Sequence, residues 1–455
     1  MTRDVEKLPA DNIPAADAEG DGVSRRAIIQ SAVATGMVGL VGVVRPDDAE
    51  ARALTNVRFT HGVASGDPLA TSVILWTRVL NNSGVDLGVE WKVSTTADMA
   101  NVVSSGVATA RASRDFTVKV DAGGLQPGRT YYYQFGFRNS LSPVGVTKTL
   151  PTGSVSRLKF AVFSCANYER GYFNVYREVS KRDDLDAVLF LGDYIYEYGV
   201  GEYGPTPAEA AGLVSPEVRP TTLLPQHEVK TLADYRQRYA TYRSDPWLQE
   251  MHRKNPWICV WDDHETANDT WSGGAENHED GEGAWVDRVA AATQAYHEWL
   301  PIRDNASGNL LKIWRSFDFG NLARLVMIDS RLNSRDQQLA ATPYIANWTA
   351  ALQGQPYPAD TLTNGQTRTM VGAEQEAYIR QQMTGSTQTW QILGNQVLVH
   401  YEAAPNIAQS PRLTTAQRTQ LLGLLEQLFP GQRSLIAQLG VAGLPLPDTS
   451  DWWIG

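Results

Sequence analysis

DAVLFLGDYIYEY, Asp186 to Tyr198, is the stretch that decides the fold. Ala187 to Leu191 is a short apolar run without helical spacing, ended by Gly192 and followed at once by Asp193. Such a run reads as a strand buried on both faces. A carboxylate just past its end lies where open α/β sheets place ligands. Tyr194, Tyr196 and Glu197 add hydrogen-bonding groups within a few residues. Three other stretches share this build: LKFAVF (Leu158–Phe163) before Ser164-Cys165-Ala166-Asn167, WICVW (Trp257–Trp261) before Asp262-Asp263-His264-Glu265, and LARLVMI (Leu322–Ile328) before Asp329-Ser330-Arg331. If the four strands are parallel neighbours, their polar clusters meet on one edge, and clusters carrying Cys, Asp, Tyr, His and Asn suggest a metal site.

At 455 residues the chain is expected to hold two domains. A formal net charge of −10 argues against a protein that coats nucleic acid. It does not argue against a phosphate substrate, since bound cations reverse the local field. Two cysteines, Cys165 and Cys259, make no disulfide scaffold. Ser24-Arg25-Arg26 precedes Ala27 to Val44, a modest apolar run diluted by Gln30, Ser31, Thr35 and glycines, with small-x-small sites at Ala49 to Ala53. Twin arginines before a weak apolar run predict a cleaved Tat export signal over residues 1–53, with the Tat machinery as partner, rather than a membrane span.

Residues 54–151 read as an all-β sandwich domain. Ser72–Arg78, Val89–Ser94, Phe116–Val120 and Tyr131–Arg138 are short β-rich runs at sandwich spacing. Tyr131, Tyr132 and Tyr133 are expected to pack rather than to form a ligand platform. Pro151-Thr152-Gly153-Ser154 reads as a linker, and residues 155–455 as an α/β domain. Helices are expected over Asn174–Lys181, Leu232–Tyr242, Ala284–Trp299, Ala373–Met383 and Thr415–Phe429, with a further strand over Thr389–Val399. Cys259 sits within an apolar strand and reads as core, and Tyr194 as packing. His61, His227, His252, His278 and His297 have no supporting spacing. Glu276 to Asp280 reads as a solvated loop. Asp329 and Arg331 fit a structural ion pair as well as a substrate role, and His264 fits either catalysis or a bond to Asp262 or Glu265.

Cys165 with Asn167-Tyr168-Glu169-Arg170-Gly171-Tyr172-Phe173, then Gly192-Asp193-Tyr194-Ile195-Tyr196-Glu197, then Trp261-Asp262-Asp263-His264-Glu265 with Asn268, then Ile328-Asp329-Ser330-Arg331, together resemble the PhoD-like alkaline phosphatases of the calcineurin-like metallophosphoesterases. The resemblance covers roughly residues 55 to 450. It implies a fibronectin III-like N-terminal β-sandwich followed by an α/β metallophosphoesterase domain with two β-sheets flanked by helices. It also implies an exported phosphomonoesterase or phosphodiesterase holding Fe(3+) and Ca(2+). By the same resemblance Cys165, Asp193 and Tyr196 would hold iron, with Asp193 bridging. Asp263 and Asn268 would serve the calcium side, joined by Asp262. Thiolate, phenolate and carboxylate suit ferric iron, and carboxylate and amide oxygens suit calcium. His264 would protonate the leaving oxygen or steady the transition state, and Arg331 would clamp phosphate.

One departure stands out. The late Gly-Asp-x-His-Ser segment of that family has no counterpart here, and His400 follows Leu398-Val399 without it. The expectation is an α/β domain incomplete at its C-terminus, with one metal ligand and part of the second sheet missing and a sheet edge exposed. Two readings follow: a metal-dependent phosphoester hydrolase acting on small mono- or diesters, or a non-catalytic exported remnant that at most binds.

Overall fold

A computed structural model describes residues 57–81, 84–203, 219, 223–338, 368–397, 409, 411 and 413–428. The export signal and His400 lie outside these residues, and so does most of the expected C-terminal region.

The N-terminal region is built of strands β1 (Val63–Gly66), β2 (Ser72–Arg78), β3 (Leu87–Ser94), β4 (Val102–Ala110), β5 (Thr117–Gly123), β6 (Thr130–Phe137), β7 (Ser140–Leu141) and β8 (Gly145–Lys148). β4-β3-β6-β7 form one antiparallel sheet, with β8 also on β6. Val89, Val93, Tyr131, Tyr133 and Phe135 of that sheet share a buried core with Val63, Val73, Leu75, Val118 and Ala122 of β1, β2 and β5. Tyr131 and Tyr133 are thus packing residues.

The α/β region continues with β9 (Phe160–Phe163), α1 (Asn174–Val179), β10 (Ala187–Phe190), α2 (Leu232–Arg243), α3 (Pro246–Lys254), β11 (Pro256–Cys259), α4 (Trp285–Trp299), β12 (Arg315–Phe319), β13 (Ala323–Met327), α5 (Gly372–Thr384), β14 (Trp390–Gly394) and α6 (Thr415–Leu428). β9, β10 and β11 run parallel, and β11 also pairs in parallel with β1. One six-stranded sheet, β5-β2-β1-β11-β10-β9, therefore draws strands from both sides of Pro151. Both faces of β10 are buried, as its unbroken apolar run requires. Val188 and Phe190 face α1 to α4, while Ala187 and Leu189 meet Phe317, Phe319, Leu325 and Met327 of a second sheet, β12-β13-β14.

The fourth motif-bearing strand, β13, lies in that second sheet and is no neighbour of the other three. Two stacked sheets, rather than one edge, bring its polar loop to the rest. Asp67 at the end of β1 locks the layers together. Its carboxylate takes two bonds of 2.7 Å from Arg315 of β12 and one of 2.7 Å from the Arg303 amide. Helix α3 is not among the helices expected from sequence, although Leu248, Met251 and His252 recur at helical spacing and are buried. Its start signal is Asp245, whose side chain accepts from the Trp247 and Leu248 amides, with Pro246 at the first helical position.

Candidate metal centre

Beyond β9, β10 and β11 the backbone turns sharply, and the turns carry the polar residues. Gly192 has φ 110°, and a Cβ there would lie 2.3 Å from that of Asp262, so no side chain fits. Cys165 (φ 58°) and Asp193 (φ 57°) both occupy the left-handed region that non-glycine residues rarely adopt. Their loops are tied to each other, Cys165 N donating to Gly192 O at 3.1 Å and Ala166 N to Asp193 O at 2.8 Å.

Asp193, Asp263 and His264 are buried, and each offers a ligand atom within 4.8 Å of the others. Tyr196 donates its hydroxyl to Asp193 Oδ2 at 3.1 Å and stacks on His264, ring centroids 4.1 Å apart. Cys165 is exposed as a residue, yet desolvation of its thiol by the surrounding loops, with the Asp193 charge beside it, pushes that thiol up to about 12. The same two causes raise the Tyr196 phenol far above its ordinary value. Burial opposes charge on His264, but Glu197, Asp263 and Asp193 outweigh it and raise the imidazole well above its usual value. Burial likewise pushes Asp263 upward, yet the Arg331 and His264 charges prevail and hold it down at about 2.

Arg331 is fully buried. Its Nε donates to Asp262 Oδ1 at 2.5 Å, and its Nη2 lies 3.4 Å from Asp263 Oδ1. The expected clamp residue thus sits among carboxylates, and the ion pair considered between Arg331 and Asp329 does not form. Asp329 accepts instead from Trp261 Nε1 (2.9 Å) and from the Arg331, Leu332 and Asn333 amides. Asp262, placed with the metal ligands from sequence, is engaged by Arg331 and stands outside the Asp193–Asp263–His264 group. The Asn268 carboxamide nitrogen donates to Glu276 Oε2 at 3.0 Å, which leaves its oxygen as the group that could meet a cation.

Two supporting carboxylates emerge only from the structure. Glu265 accepts from the amides of Asp193 (3.0 Å), Tyr194 (2.5 Å) and Asp262 (2.8 Å), stitching two site loops together. Glu197 Oε2 takes His264 Nδ1 at 2.7 Å, and its Oε1 takes the Asn268 amide (2.7 Å) and the Asn277 side chain (2.8 Å). His264 is therefore satisfied by Glu197, not by Asp262 or Glu265. Asn277 turns its side chain into this network, while Glu276, Glu279 and Asp280 around it are exposed, as expected of a solvated loop. A His bonded through one ring nitrogen to a carboxylate has its tautomer and direction fixed, as metal-ligating histidines do.

Paired acids, an imidazole and a phenol converge on one buried point at the carboxyl ends of parallel strands, with the exposed Cys165 beside Asp193. Comparison with known proteins agrees with that pattern. Residues 160–426 match the family model of PhoD-like phosphatases, and residues 45–151 match that of the PhoD-like phosphatase N-terminal domain. The chain belongs to the PhoD-like phosphatases. Alkaline phosphatase D of Bacillus subtilis (strain 168) is 39% identical over 353 residues, which is 74% of this chain and 56% of the relative. The chain thus spans little more than half the length of that curated PhoD-like relative. A solved structure of PhoD superposes with a TM-score of 0.65 at 34% identity, covering 81% of this chain and 69% of that one. Among the described residues, no helix is long and apolar enough to cross a membrane.

Proposed function

We propose that this chain is an exported, metal-dependent phosphoester hydrolase of the alkaline phosphatase D type, acting on small phosphate mono- or diesters. The observation that carries the reading is the buried Asp193–Asp263–His264 group with Tyr196 and Cys165 against Asp193. Among the described residues, the buried carboxylates of Asp193, Asp262 and Asp263 gather beside Arg331 and His264, and Asp193, Asp263 and His264 form a donor group suited to a cation. The donor set fits ferric iron at Cys165, Asp193 and Tyr196, and calcium at Asp193, Asp263 and Asn268. Cations held there would acidify a water and neutralise phosphoryl oxygens. The protein's own part is positional. Glu197 fixes the His264 ring through Nδ1, and the imidazole would serve as a ligand or as proton donor to the leaving alcohol. Arg331 holds Asp262 and Asp263 in place and keeps Asp263 ionised.

The N-terminal region is read as a fibronectin III-like sandwich, and export as passage through the Tat pathway after metal loading. The test is release of nitrophenol from mono- and bis(4-nitrophenyl) phosphate by the full chain loaded with iron and calcium. Elemental analysis and visible absorption run in parallel, because tyrosinate on ferric iron is coloured. Turnover and colour lost together in Cys165→Ala and Tyr196→Phe support the reading. An iron-replete, colourless and inactive protein overturns it.

A further inference from the structure

A second aromatic residue, Tyr203, stands against the Tyr196–His264 pair. Tyr203 lies on the loop after Tyr198. That loop is pinned: Gly201 N donates to the Glu169 carboxylate at 3.2 Å, Val200 N to Gln226 O at 2.9 Å, and Gly199 N to Glu202 Oε2 at 2.8 Å. Tyr203 is thereby set almost perpendicular to Tyr196, centroids 5.2 Å apart at 86°, and 6.0 Å from the His264 ring. Tyr198 closes the corner, 5.4 Å from Tyr203 and 5.8 Å from His264. The Arg170 guanidinium sits over the Tyr203 ring at 5.8 Å. Tyr196 and His264 are buried, whereas Tyr198 and Tyr203 are half-buried. The result is an aromatic corner whose floor is the stacked Tyr196–His264 pair and whose sides are Tyr198 and Tyr203.

We infer that Tyr203 and Tyr198 form the subsite for the alcohol half of the ester, and that this subsite favours a planar aromatic alcohol, aryl or nucleoside, over an aliphatic polyol. The inference rests on the hydrolase reading above and adds its substrate class. Apolar ring surface fixed beside the site where the P–O bond breaks gains little from a hydrated glycerol. It gains a stacking or edge contact from a planar ring, worth roughly 1–3 kcal/mol per base. The structural alternative is that Tyr203 only buttresses Tyr196 and His264.

The two roles separate on selectivity. Thymidine 5′-phosphate, phenyl phosphate and glycerol 3-phosphate, each as the monoester and the methyl diester, are given to the metal-loaded full chain and followed by phosphorus NMR. Tyr203→Ala should lower the thymidine-to-glycerol and phenyl-to-glycerol ratios of kcat/KM by about 5- to 100-fold, mainly through KM. Iron and calcium content should stay unchanged, and Tyr203→Phe should restore both ratios. A loss in the phenyl ratio alone identifies an aryl alcohol, and a loss in the thymidine ratio alone a nucleoside. Equal losses on all esters, or a fall in metal content, make Tyr203 a buttress and overturn the inference while leaving the hydrolase reading intact. A metal-loaded wild-type chain that turns over none of the esters overturns both.

Discussion

Glu265 offers the sharpest test of how the centre is held. It is fully buried and makes no described contact with the other candidate ligand side chains, yet it receives three backbone amides from the two loops that carry Asp193 and Asp262. Leaving a buried donor unsatisfied costs about 1–3 kcal/mol. Glu265→Ala strands three of them, about 3–9 kcal/mol against a total stability of about 5–15 kcal/mol. That variant is expected to fold poorly. Glu265→Gln is the informative change. Its carboxamide oxygen can keep the Asp193 and Asp262 bonds made by Oε2, but its amino group then faces the Tyr194 amide. One bond is lost and two donors are opposed, a cost of about 2–4 kcal/mol. Because the Asp193 backbone sits in the left-handed region, the loosened loop should also bind metal more weakly, by about 10- to 100-fold. Urea unfolding with and without metals, together with iron and calcium stoichiometry, reads both effects. A Glu265→Gln protein with the wild-type midpoint and wild-type metal content would refute the reasoning.

Further outcomes follow from the same contacts. Gly192→Ala places a Cβ 2.3 Å from that of Asp262 at φ 110°, and should yield insoluble or metal-deficient protein in expression trials. Asp67→Ala leaves the Arg315 guanidinium without its bidentate partner between two sheets, and should lower stability by about 3–5 kcal/mol in urea unfolding without changing metal stoichiometry. Burial, aided by Arg78 and Arg243, lowers His61 from 6.5 to about 3, and burial with Arg243 also lowers the fully enclosed His252 well below its ordinary value. Between those values the unfolded chain takes up protons on these histidines that the folded chain does not. Their contribution to stability therefore shrinks as pH falls from about 6.5 toward 3, and His61→Gln should show a shallower fall in urea midpoint over that range. Chelation should lower the melting temperature. At metal concentrations 100 times Kd the stabilisation regained is about 2.7 kcal/mol, and Asp193→Asn should regain much less.

The strands could be read from sequence because burial on both faces leaves a direct trace. Val188 and Phe190 face the helices, Ala187 and Leu189 face the second sheet, and no polar residue interrupts them. The polar turns after β9, β10 and β11 could be read for the same reason, since the apolar run ends where the sheet ends. β1 left no such trace. Val63-Ala64-Ser65-Gly66 is short and small, and what makes it a strand of the mixed sheet is pairing on both sides, with β2 over all four residues and with Pro256 and Trp257 far along the chain. The supporting carboxylates were equally hidden. Glu265 and Glu197 look like ordinary neighbours of candidate ligands, and their acceptors' work depends on which backbone amides the fold turns inward. Arg331 was misplaced for a related reason. A planar fork suits phosphate and carboxylate alike, and only the position of Asp262 beside it decides between them.

The acids of this centre divide by what they face. Glu265, Glu197 and Asp329 together accept seven backbone amides of the site loops, so their oxygens are spent on fixing backbone. Asp193 and Asp263 face each other and His264, with Arg331 and Tyr196 as their steadying neighbours. Asp193 is held in an unfavourable backbone region that costs of order 1–3 kcal/mol, and such strain persists only where the surroundings over-determine it. The supporting acids are what over-determine it. Metal affinity in this fold should accordingly be governed as much by residues that never touch the ion as by those that do. Substitutions at Glu265 or Glu197 should weaken binding while the ligand set stays complete, a loss that restoring the supporting oxygen recovers and that excess metal only partly masks.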